Sequence, residues 1–507
     1  MASVPTQTTH KPLVLPYISL QPSTGAVVAD IEAGRVAAED CWVSVVRGAA
    51  AEATPGGGEH DPSGSVHGRF RVSEGDDEGS IEVESRDDKV VVNLVNKSDF
   101  TVSCPSLAIP PTSVLLPPSA LNTAPSTSYS TNSASQEEPA PALLRFPVRG
   151  GIECFALSGD GKRVVVGGRD GQARVVEVVR FEDAYAAQAK GKRLAKGRET
   201  ALRGHVGDLT AVEFFPSSEV VLTASSDMSL RLFSAADGSS PRELKSHTKR
   251  VTGLHILCSS SPSGPHKGRL VLSSSLDGTL NLWDVAAAEV RQTWVLPQPV
   301  SALEVFSAVQ GEEDAEDVLK SKFALAAHTD GTISLIDLAS PTAPSFPAFK
   351  TSAISSLDCI STLSFADGRR AIAVGGRNSV VSLFVLPVLP LSDDAQKPLQ
   401  PLAEWRRTEG GTQIHSLQLS SRLSTSASPS SPSAKGSILV ASSDGLAYRA
   451  TVALPEADGE AVKVEVEEEF VGPDCEPVTG IREDGEGRVW ISAGGADGGL
   501  RVYERET

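Results

Sequence analysis

Histidine, serine and aspartate recur at a similar spacing in two neighbouring stretches of the chain. The two sets are His205, Ser225 and Asp227, and His247, Ser275, Asp277 and Trp283. Such side chains can form a catalytic triad, in which histidine takes a proton from a serine nucleophile and aspartate orients the imidazole. They can also form a structural hydrogen-bonded chain inside a sheet, in which aspartate accepts, imidazole donates and accepts, and the hydroxyl relays.

The surroundings of the two serines favour the structural interpretation. The serine nucleophile of many hydrolases lies in a G-x-S-x-G turn between a strand and a helix, and no such turn surrounds Ser225 or Ser275. We therefore predict that the protein is not an enzyme and that both sets stabilise the fold. Hydrolytic turnover that disappears in a Ser225→Ala variant would be needed to revive the triad interpretation.

A phrase of β-forming residues, small residues, an Asp-Gly-type turn and further β-forming residues occurs seven times. Its turn residues are Asp170, Asp227, Asp277, Asp330, Asn378, Asp444 and Asp497. An apolar alternation typical of a strand precedes each phrase, as in Leu209–Ser217 and Val251–Leu257. Units of four strands bury both faces only against neighbours, so they must close into a ring. The sequence thus predicts an all-β fold, a seven-bladed WD-repeat β-propeller.

The region before the repeats has a different character. Residues 1–103 contain β-type runs of their own, such as Lys89–Val95, and predict a smaller N-terminal β-rich domain. The stretch 104–141 is rich in Pro, Ser and Thr and predicts a linker. The propeller is expected over 142–507, and its first residues, Ala142–Arg149, are placed to supply the outer strand of the last blade and close the ring.

The composition limits the classes of partner and site. The net charge of −18 provides no basic face for nucleic acid; it fits a basic protein partner or serves solubility alone. The six cysteines are scattered without a CxxC pair, so we expect no zinc site, no disulfide framework and no cofactor. A signal peptide and an apolar stretch of ~18 residues are both missing, which predicts no membrane contact. We expect a monomer in the cytoplasm, with the nucleus left open.

One insertion is basic and allows more than one interpretation. Its charged residues are Lys190, Lys192, Arg193, Lys196 and Arg198. A contact with RNA and a nuclear signal are both open, but a solvated loop is the interpretation we favour.

The stretch Leu202–Thr252 resembles the proteasomal ATPase-associated factor family. The residues that carry the resemblance are Phe214–Ser217 (FFPS), Ser226–Met228 (SDM) and Ser234–Gly238 (SAADG). Members of that family are WD-repeat assembly chaperones of the proteasome regulatory particle, with an N-terminal domain ahead of a seven-bladed propeller. The resemblance implies a protein that binds the C-terminal domain of an ATPase subunit of the proteasome base and leaves the finished particle. The alternative is a WD-repeat scaffold in another complex, for example in ribosome biogenesis or ubiquitin ligation.

A partner of a propeller usually docks on the rim that carries the Asp-type turns and the loops before the innermost strands. The candidate contact residues on that rim are Asp208, Glu476, Arg169, Arg250, Arg377 and Gln413. We expect Asp208 and Glu476 to make charge-assisted contacts with a basic partner. The alternative is that each of them is an ordinary rim residue.

Overall fold

The computed structural model describes most of the chain, and the structure below refers to these residues. The described ranges are 12–47, 64–76, 80–117, 143–145, 150–181, 193–257, 269–308, 319, 322–343, 348–352, 355–365, 369–386, 398–408, 411–421, 435–454, 462–473, 476–494 and 499–505. Some features singled out in the sequence lie outside them. These are Asp497, Cys258, Cys475, Lys190 and Lys192.

The N-terminal part, residues 12–117, builds strands and one helix around a core of its own. Its elements are β1 (Leu13–Val14), β2 (Tyr17–Leu20), α1 (Thr24–Glu32), β3 (Ala38–Val46), β4 (Ser65–Glu74), β5 (Ile81–Ser85), β6 (Val91–Asn96), β7 (Asp99–Cys104), a 3₁₀ turn (Pro105–Leu107) and β8 (Ile109–Leu115). Strands β2 to β5 form one antiparallel sheet, and β6 to β8 form a second set. The helix buries Val27, Val28 and Ile31 in the same apolar cluster as Phe70 and Phe100.

The predicted linker begins later than its composition indicates. Residues 105–107 form the 3₁₀ turn and β8 follows, although the sequence analysis assigned 104–141 to a linker. The reason is an apolar alternation hidden among the prolines, since Ile109, Val114 and Leu116 are buried in the N-terminal core. Residues 118–141 lie outside the described ranges, and the other domain boundaries stay a prediction.

The described residues after 142 form seven sheets, each with four strands in the order of the repeat. Blade 1 contains β10 (Ile152–Leu157), β11 (Arg163–Gly168), β12 (Ala173–Phe181) and β13 (Arg193–Leu202). Blade 2 contains β14 (Leu209–Phe214), β15 (Val220–Ser225), β16 (Ser229–Ser234) and β17 (Arg242–Lys245). Blade 3 contains β18 (Val251–Leu257), β19 (Leu270–Ser275), β20 (Thr279–Asp284) and β21 (Glu289–Val295).

The remaining blades follow the same order, and the last one takes its outer strand from the start of the region. Blade 4 contains β22 (Val300–Ser307), β23 (Lys322–His328), β24 (Thr332–Asp337) and β25 (Phe349–Lys350). Blade 5 contains β26 (Leu357–Ser364), β27 (Arg370–Gly376), β28 (Val381–Leu386) and β29 (Ala403–Arg406). Blade 6 contains β30 (Ile414–Ser420), β31 (Lys435–Ser442), β32 (Ala447–Ala453) and β33 (Lys463–Phe470). Blade 7 contains β34 (Val478–Glu483), β35 (Val489–Ala493), β36 (Gly499–Tyr503) and β9 (Leu143–Arg145).

Apolar packing between neighbouring blades holds the ring together. Successive side chains of a strand point to opposite faces of its sheet. A strand of a blade that packs between two other blades therefore has apolar side chains on both faces. In β15, Val221 packs in a cluster with blade 1 and Leu222 packs in a cluster with blade 3. Ile152 of blade 1 and Trp490 of blade 7 share a further cluster, which closes the ring.

Strand β9 pairs antiparallel with β36, and Arg145 lies opposite Gly499. This is the position that the sequence predicts for the outer strand of the last blade. Seven is also the number of sheets that the turn residues predict; that these are the full set of blades stays a prediction.

The N-terminal part extends two of the blades at their outer edges. Strand β1 pairs parallel with β29 of blade 5, and β8 pairs parallel with β33 of blade 6. An exposed sheet edge offers unpaired backbone groups, and these two strands cover it. The sequence analysis did not anticipate this attachment.

Candidate protein-binding site

In the described part of the chain, each of the seven innermost strands has a β-bulge at its second residue. The residues at the bulge are Glu153, Thr210, Thr252, Ser301, Asp358, His415 and Thr479. A bulge leaves one residue out of the ladder and re-aims its side chain. The bulges therefore place seven equivalent side chains at one end of the ring, beside the Asp-type turns.

Serine and threonine at the bulge tie one blade to the next. In three blades the hydroxyl donates to the carbonyl of the first residue of the next innermost strand. The bonds run from Thr252 to Val300 at 2.9 Å, from Ser301 to Leu357 at 2.5 Å and from Thr479 to Ile152 at 2.7 Å. In these three blades the hydroxyl is thus explained by the architecture of the ring.

Three blades depart from this pattern with ionisable side chains. Glu153 accepts a hydrogen bond from Nε of Arg169 in the turn of its own blade. Asp358 accepts through Oδ2 from Nε2 of Gln413 at 2.8 Å and from Nε of Arg377 at 3.3 Å. Residues that break the pattern of a repeat without strengthening the fold are expected at binding sites.

The third departure, His415, is coupled electrostatically to the other two. Burial lowers the pKa of His415, while the negative charges of Glu153 and Asp358 oppose that effect. The positive charges of Arg169 and Arg377 also lower that pKa, so the imidazole of blade 6 feels charged groups of blades 1 and 5. We call this group the mouth cluster; it consists of Glu153, Arg169, Asp358, Arg377, Gln413 and His415.

The structure brings together three of the six contact residues predicted from the sequence. Arg169, Arg377 and Gln413 belong to the mouth cluster, whereas the other three lie apart from it. Arg250 is exposed before β18, Asp208 is half-buried before β14, and Glu476 lies 4.0 Å from Nη1 of Arg501 with 42 % of its side chain exposed. Whether any of the six touches a partner stays a prediction.

The sequence analysis missed Glu153, Asp358 and His415. A signal for them was present, because four of the seven innermost strands have Ser or Thr at the second residue and these three have acids or histidine. This signal becomes visible only when the seven innermost strands are aligned at the bulge residue. An alignment on the turn residues alone does not provide that register, since the loops differ in length.

The histidine and aspartate pairs of blades 2 and 3 lie inside the sheets and support the rim loops. In blade 3, Nε1 of Trp283 donates to Oγ of Ser273 at 2.8 Å, and that hydroxyl lies 2.7 Å from Nε2 of His247. Indole only donates, so the hydroxyl hydrogen of Ser273 is left for the imidazole. Nδ1 of His247 then donates to Oδ2 of Asp277 at 3.1 Å, which completes a satisfied chain.

Blade 2 repeats this chain with a threonine and without the tryptophan. His205 lies 2.9 Å through Nδ1 from Oδ2 of Asp227 and 2.8 Å through Nε2 from Oγ1 of Thr223. Burial alone would raise the pKa of Asp227, but hydrogen bonds from Ser229 and Val206 and from the imidazole lower it to about 2. Burial also lowers the pKa of His205, so the carboxylate is ionised beside a neutral ring.

The hydroxyls predicted for these chains were the wrong ones. Ser225 donates to the carbonyl of Gly207 at 2.9 Å and accepts from the backbone of Asp227, and Ser275 makes the same contacts with Lys249 and Asp277. The hydroxyl two residues earlier lies on the same face of the strand and reaches the imidazole. That hydroxyl, on Thr223 or Ser273, is fully buried, so a substrate has no access to it.

In the described ranges, no group of three or more His, Cys, Asp and Glu side chains is arranged to hold a metal ion. Within the same residues, no helix is long and apolar enough to cross a membrane.

Comparison with known proteins identifies three WD repeats in the chain. The family described as WD domain, G-beta repeat matches residues 144–177, 197–234 and 238–284. Each range begins in or just before the outermost strand of one blade and continues into the next blade. The solved structure of U3-55K is 14 % identical, with a TM-score of 0.50, and covers 72 % of this chain and 98 % of its own. Together these findings confirm the all-β WD-repeat propeller class.

Curated relatives match over short stretches. The 26S proteasome regulatory subunit RPN14 of Saccharomyces cerevisiae is 42 % identical over 55 residues, which is 11 % of this chain and 13 % of that protein. Apoptotic protease-activating factor 1 of Danio rerio is 28 % identical over 144 residues, 28 % of this chain and 10 % of that protein. The chain therefore spans a small part of the length of these relatives.

Proposed function

We propose that this WD-repeat protein is a non-enzymatic assembly chaperone that binds the C-terminal domain of an ATPase subunit of the proteasome base. WD repeats are protein-binding scaffolds, and the observation that carries the finer statement is the 42 % identity to a proteasome regulatory subunit over 55 residues. The resemblance of Leu202–Thr252 to the proteasomal ATPase-associated factor family points to the same partner.

The geometry of the rim supports a role in binding. The loop before β14 is fixed because Oδ2 of Asp227 accepts from the backbone of Val206 at 3.0 Å, and Asp277 holds Thr248 in the same way at 2.9 Å. A loop that is already ordered loses little conformational entropy when a partner docks. The buried polar chains therefore stabilise a surface that is prepared for binding.

The predicted contacts Asp208 and Glu476 are part of this proposal. They lie outside the mouth cluster, in the loops before β14 and β34. In the proposed complex they pair with lysine or arginine of the ATPase domain, as the net charge of −18 would favour. The proposed chaperone acts as a monomer in the cytoplasm, with the nucleus left open.

Co-purification of the full chain from cell extract tests the proposal. We expect ATPase subunits of the proteasome base among the bound proteins, and direct binding of one purified ATPase C-terminal domain. Recovery of no base subunit would refute the proposed partner. Recovery of ribosomal or cullin complexes instead would support the scaffold alternative.

A further inference from the structure

Two apolar side chains are exposed together on the rim of blade 2. Val206 has 93 % and Met228 has 42 % of its surface exposed. Asp227 joins them, because its carboxylate accepts from the backbone of Val206 and Met228 is the next residue in the chain. The corresponding residues of blade 3 are Thr248 and Gly278, so the repeat itself does not demand apolar side chains there.

Met228 has a backbone conformation that suits glycine. Its φ is +69°, in the left-handed region where a Cβ meets the carbonyl of its own backbone. Four other blades have glycine at this turn position, at residues 171, 278, 331 and 445, each with positive φ. Neither Met228 nor Val206 belongs to the apolar clusters between the blades. The left-handed backbone of Met228 is strained, and no apolar packing of its side chain in those clusters offsets the strain. Backbone strain of this kind is characteristic of functional sites.

Exposed basic side chains lie beside this apolar pair, in the loop before β18. The turn of one blade packs against the loop before the next innermost strand: a Cβ on Gly171 would lie 2.9 Å from the carbonyl oxygen of His205, and one on Gly278 would lie 3.3 Å from that of Leu296. Blade 2 follows the same arrangement, so its turn with Met228 faces the loop before β18, the innermost strand of blade 3.

That loop ends in Lys249 and Arg250, both exposed and without an ion pair among the described residues. On the other side, Arg169 precedes the turn of blade 1, which touches the loop with Val206, but its guanidinium is already paired with Glu153. The acidic residue of that loop, Asp208, is half-buried. The exposed side chains without an ion pair next to this apolar pair, among the described residues, are therefore the basic Lys249 and Arg250, against the net charge of the chain.

We propose that Val206, Met228 and Arg250 form a docking site for a segment of a partner protein in which an apolar side chain stands next to carboxylates. The apolar side chain packs on Val206 and Met228, and the guanidinium of Arg250 pairs with a carboxylate. This proposal rests on the docking role of the rim in the proposed function, and is independent of the identity of the partner.

Three labelled peptides of equal length test the proposal on the full chain. One has leucine between glutamates, the second has leucine between lysines, and the third has serine between glutamates. We expect the glutamate–leucine peptide to bind at least about tenfold more tightly than the other two. Equal binding of all three, or a preference for the lysine peptide, would overturn the proposal.

Two variants separate docking from folding. Met228→Gly weakens binding of the glutamate–leucine peptide about tenfold and does not lower the thermal unfolding midpoint, because glycine fits the left-handed turn. Val295→Ser removes a side chain that is 70 % exposed on the outer strand β21, and it leaves binding unchanged. Unchanged binding in Met228→Gly would refute the site.

The charge is tested in the same assay. Arg250→Glu reverses the preference toward the lysine peptide, whereas Arg242→Glu, on the exposed outer strand β17, does not. If Arg250→Glu retains the preference for glutamate, the carboxylate contact is wrong. Capture of proteasome subunits is measured separately, so failure of the peptide site and failure of the proposed partner are distinguishable.

Discussion

Arg407 and Glu469 form a buried ion pair that joins blades 5 and 6 to the N-terminal segment. Nη1 lies 2.8 Å from Oε2 and Nη2 lies 2.5 Å from Oε1, and only 6 % and 3 % of the two residues are exposed. Arg407 also donates to the carbonyl of Pro16 at 3.1 Å, and the backbone of Ile18 donates to Glu469 at 3.4 Å. The pair therefore fastens the chain between β1 and β2 at the edge of the propeller.

Loss of one partner of this pair is expected to be costly. Glu469→Ala leaves the guanidinium of Arg407 buried without its counter-charge, which should lower the free energy of unfolding by ~3–5 kcal/mol. Residues 12–20 should also exchange their amide hydrogens faster. Urea denaturation and hydrogen exchange measure the two effects. Asp30→Ala, which breaks an exposed pair with Arg35, is the control and should cost less than about 1 kcal/mol; an equal loss in both variants would contradict the prediction.

The two hydroxyls of β19 should differ in their contribution to stability. Ser273→Ala leaves the indole of Trp283 buried without its acceptor and removes the 2.7 Å hydrogen bond to Nε2 of His247, which should cost ~2–3 kcal/mol. Ser275→Ala removes bonds to two backbone groups at the turn and should cost ~1 kcal/mol. Denaturant unfolding of both variants gives the order directly. A larger loss in Ser275→Ala would mean that the originally predicted hydroxyl is the important one.

The propeller class could be predicted because its signals are local. Each of the six turn residues in the described ranges accepts from the backbone two positions later, for example Asp170 from Gln172 at 3.0 Å and Asp444 from Leu446 at 3.1 Å. A contact of this kind depends on two neighbouring residues, so it leaves a pattern in the sequence. The choice between Ser273 and Ser275 depends instead on how deeply the imidazole of His247, from the loop before β18, reaches into the sheet.

The attachment of the N-terminal part could not be predicted for a related reason. Strand β1 has two residues, and its partner Trp405 lies almost 400 positions later in the chain. Parallel pairing at an outer edge uses backbone groups, which any residue type provides. The mouth cluster likewise depends on bulges that align Glu153 and Asp358 from distant blades.

A carboxyl group on an innermost strand should make stability depend on pH. Burial raises the pKa of Glu213 to about 8, and a hydrogen bond from the backbone of Ile256 at 3.1 Å opposes this only in part. Between the usual pKa near 4.5 and about 8, the folded protein keeps a proton that the unfolded chain loses. The free energy of unfolding therefore falls as pH rises through this window.

Glu213→Gln should reduce that slope. Glutamine retains an oxygen for the backbone of Ile256 and carries no charge, so the variant should match the parent near pH 4 and exceed it above pH 8 by at least about 1 kcal/mol. Part of the slope should remain, because burial also raises the pKa of Glu304 to about 7. Glu219→Gln, on an exposed loop, is the control. Parallel pH profiles of parent and Glu213→Gln would show that water in the ring keeps Glu213 ionised.

Charge reversal on the rim should reveal the sign of the partner's surface. The double variant Asp208→Lys and Glu476→Lys should bind the ATPase C-terminal domain at least about tenfold more weakly at low salt, mainly through slower association. Salt screens such contacts, so the difference should shrink as ionic strength rises. The matched control reverses Glu219 and Glu289, which are exposed away from this rim, and changes the net charge equally. If both double variants lose affinity to the same extent, the effect comes from net charge, and Asp208 and Glu476 are ordinary rim residues.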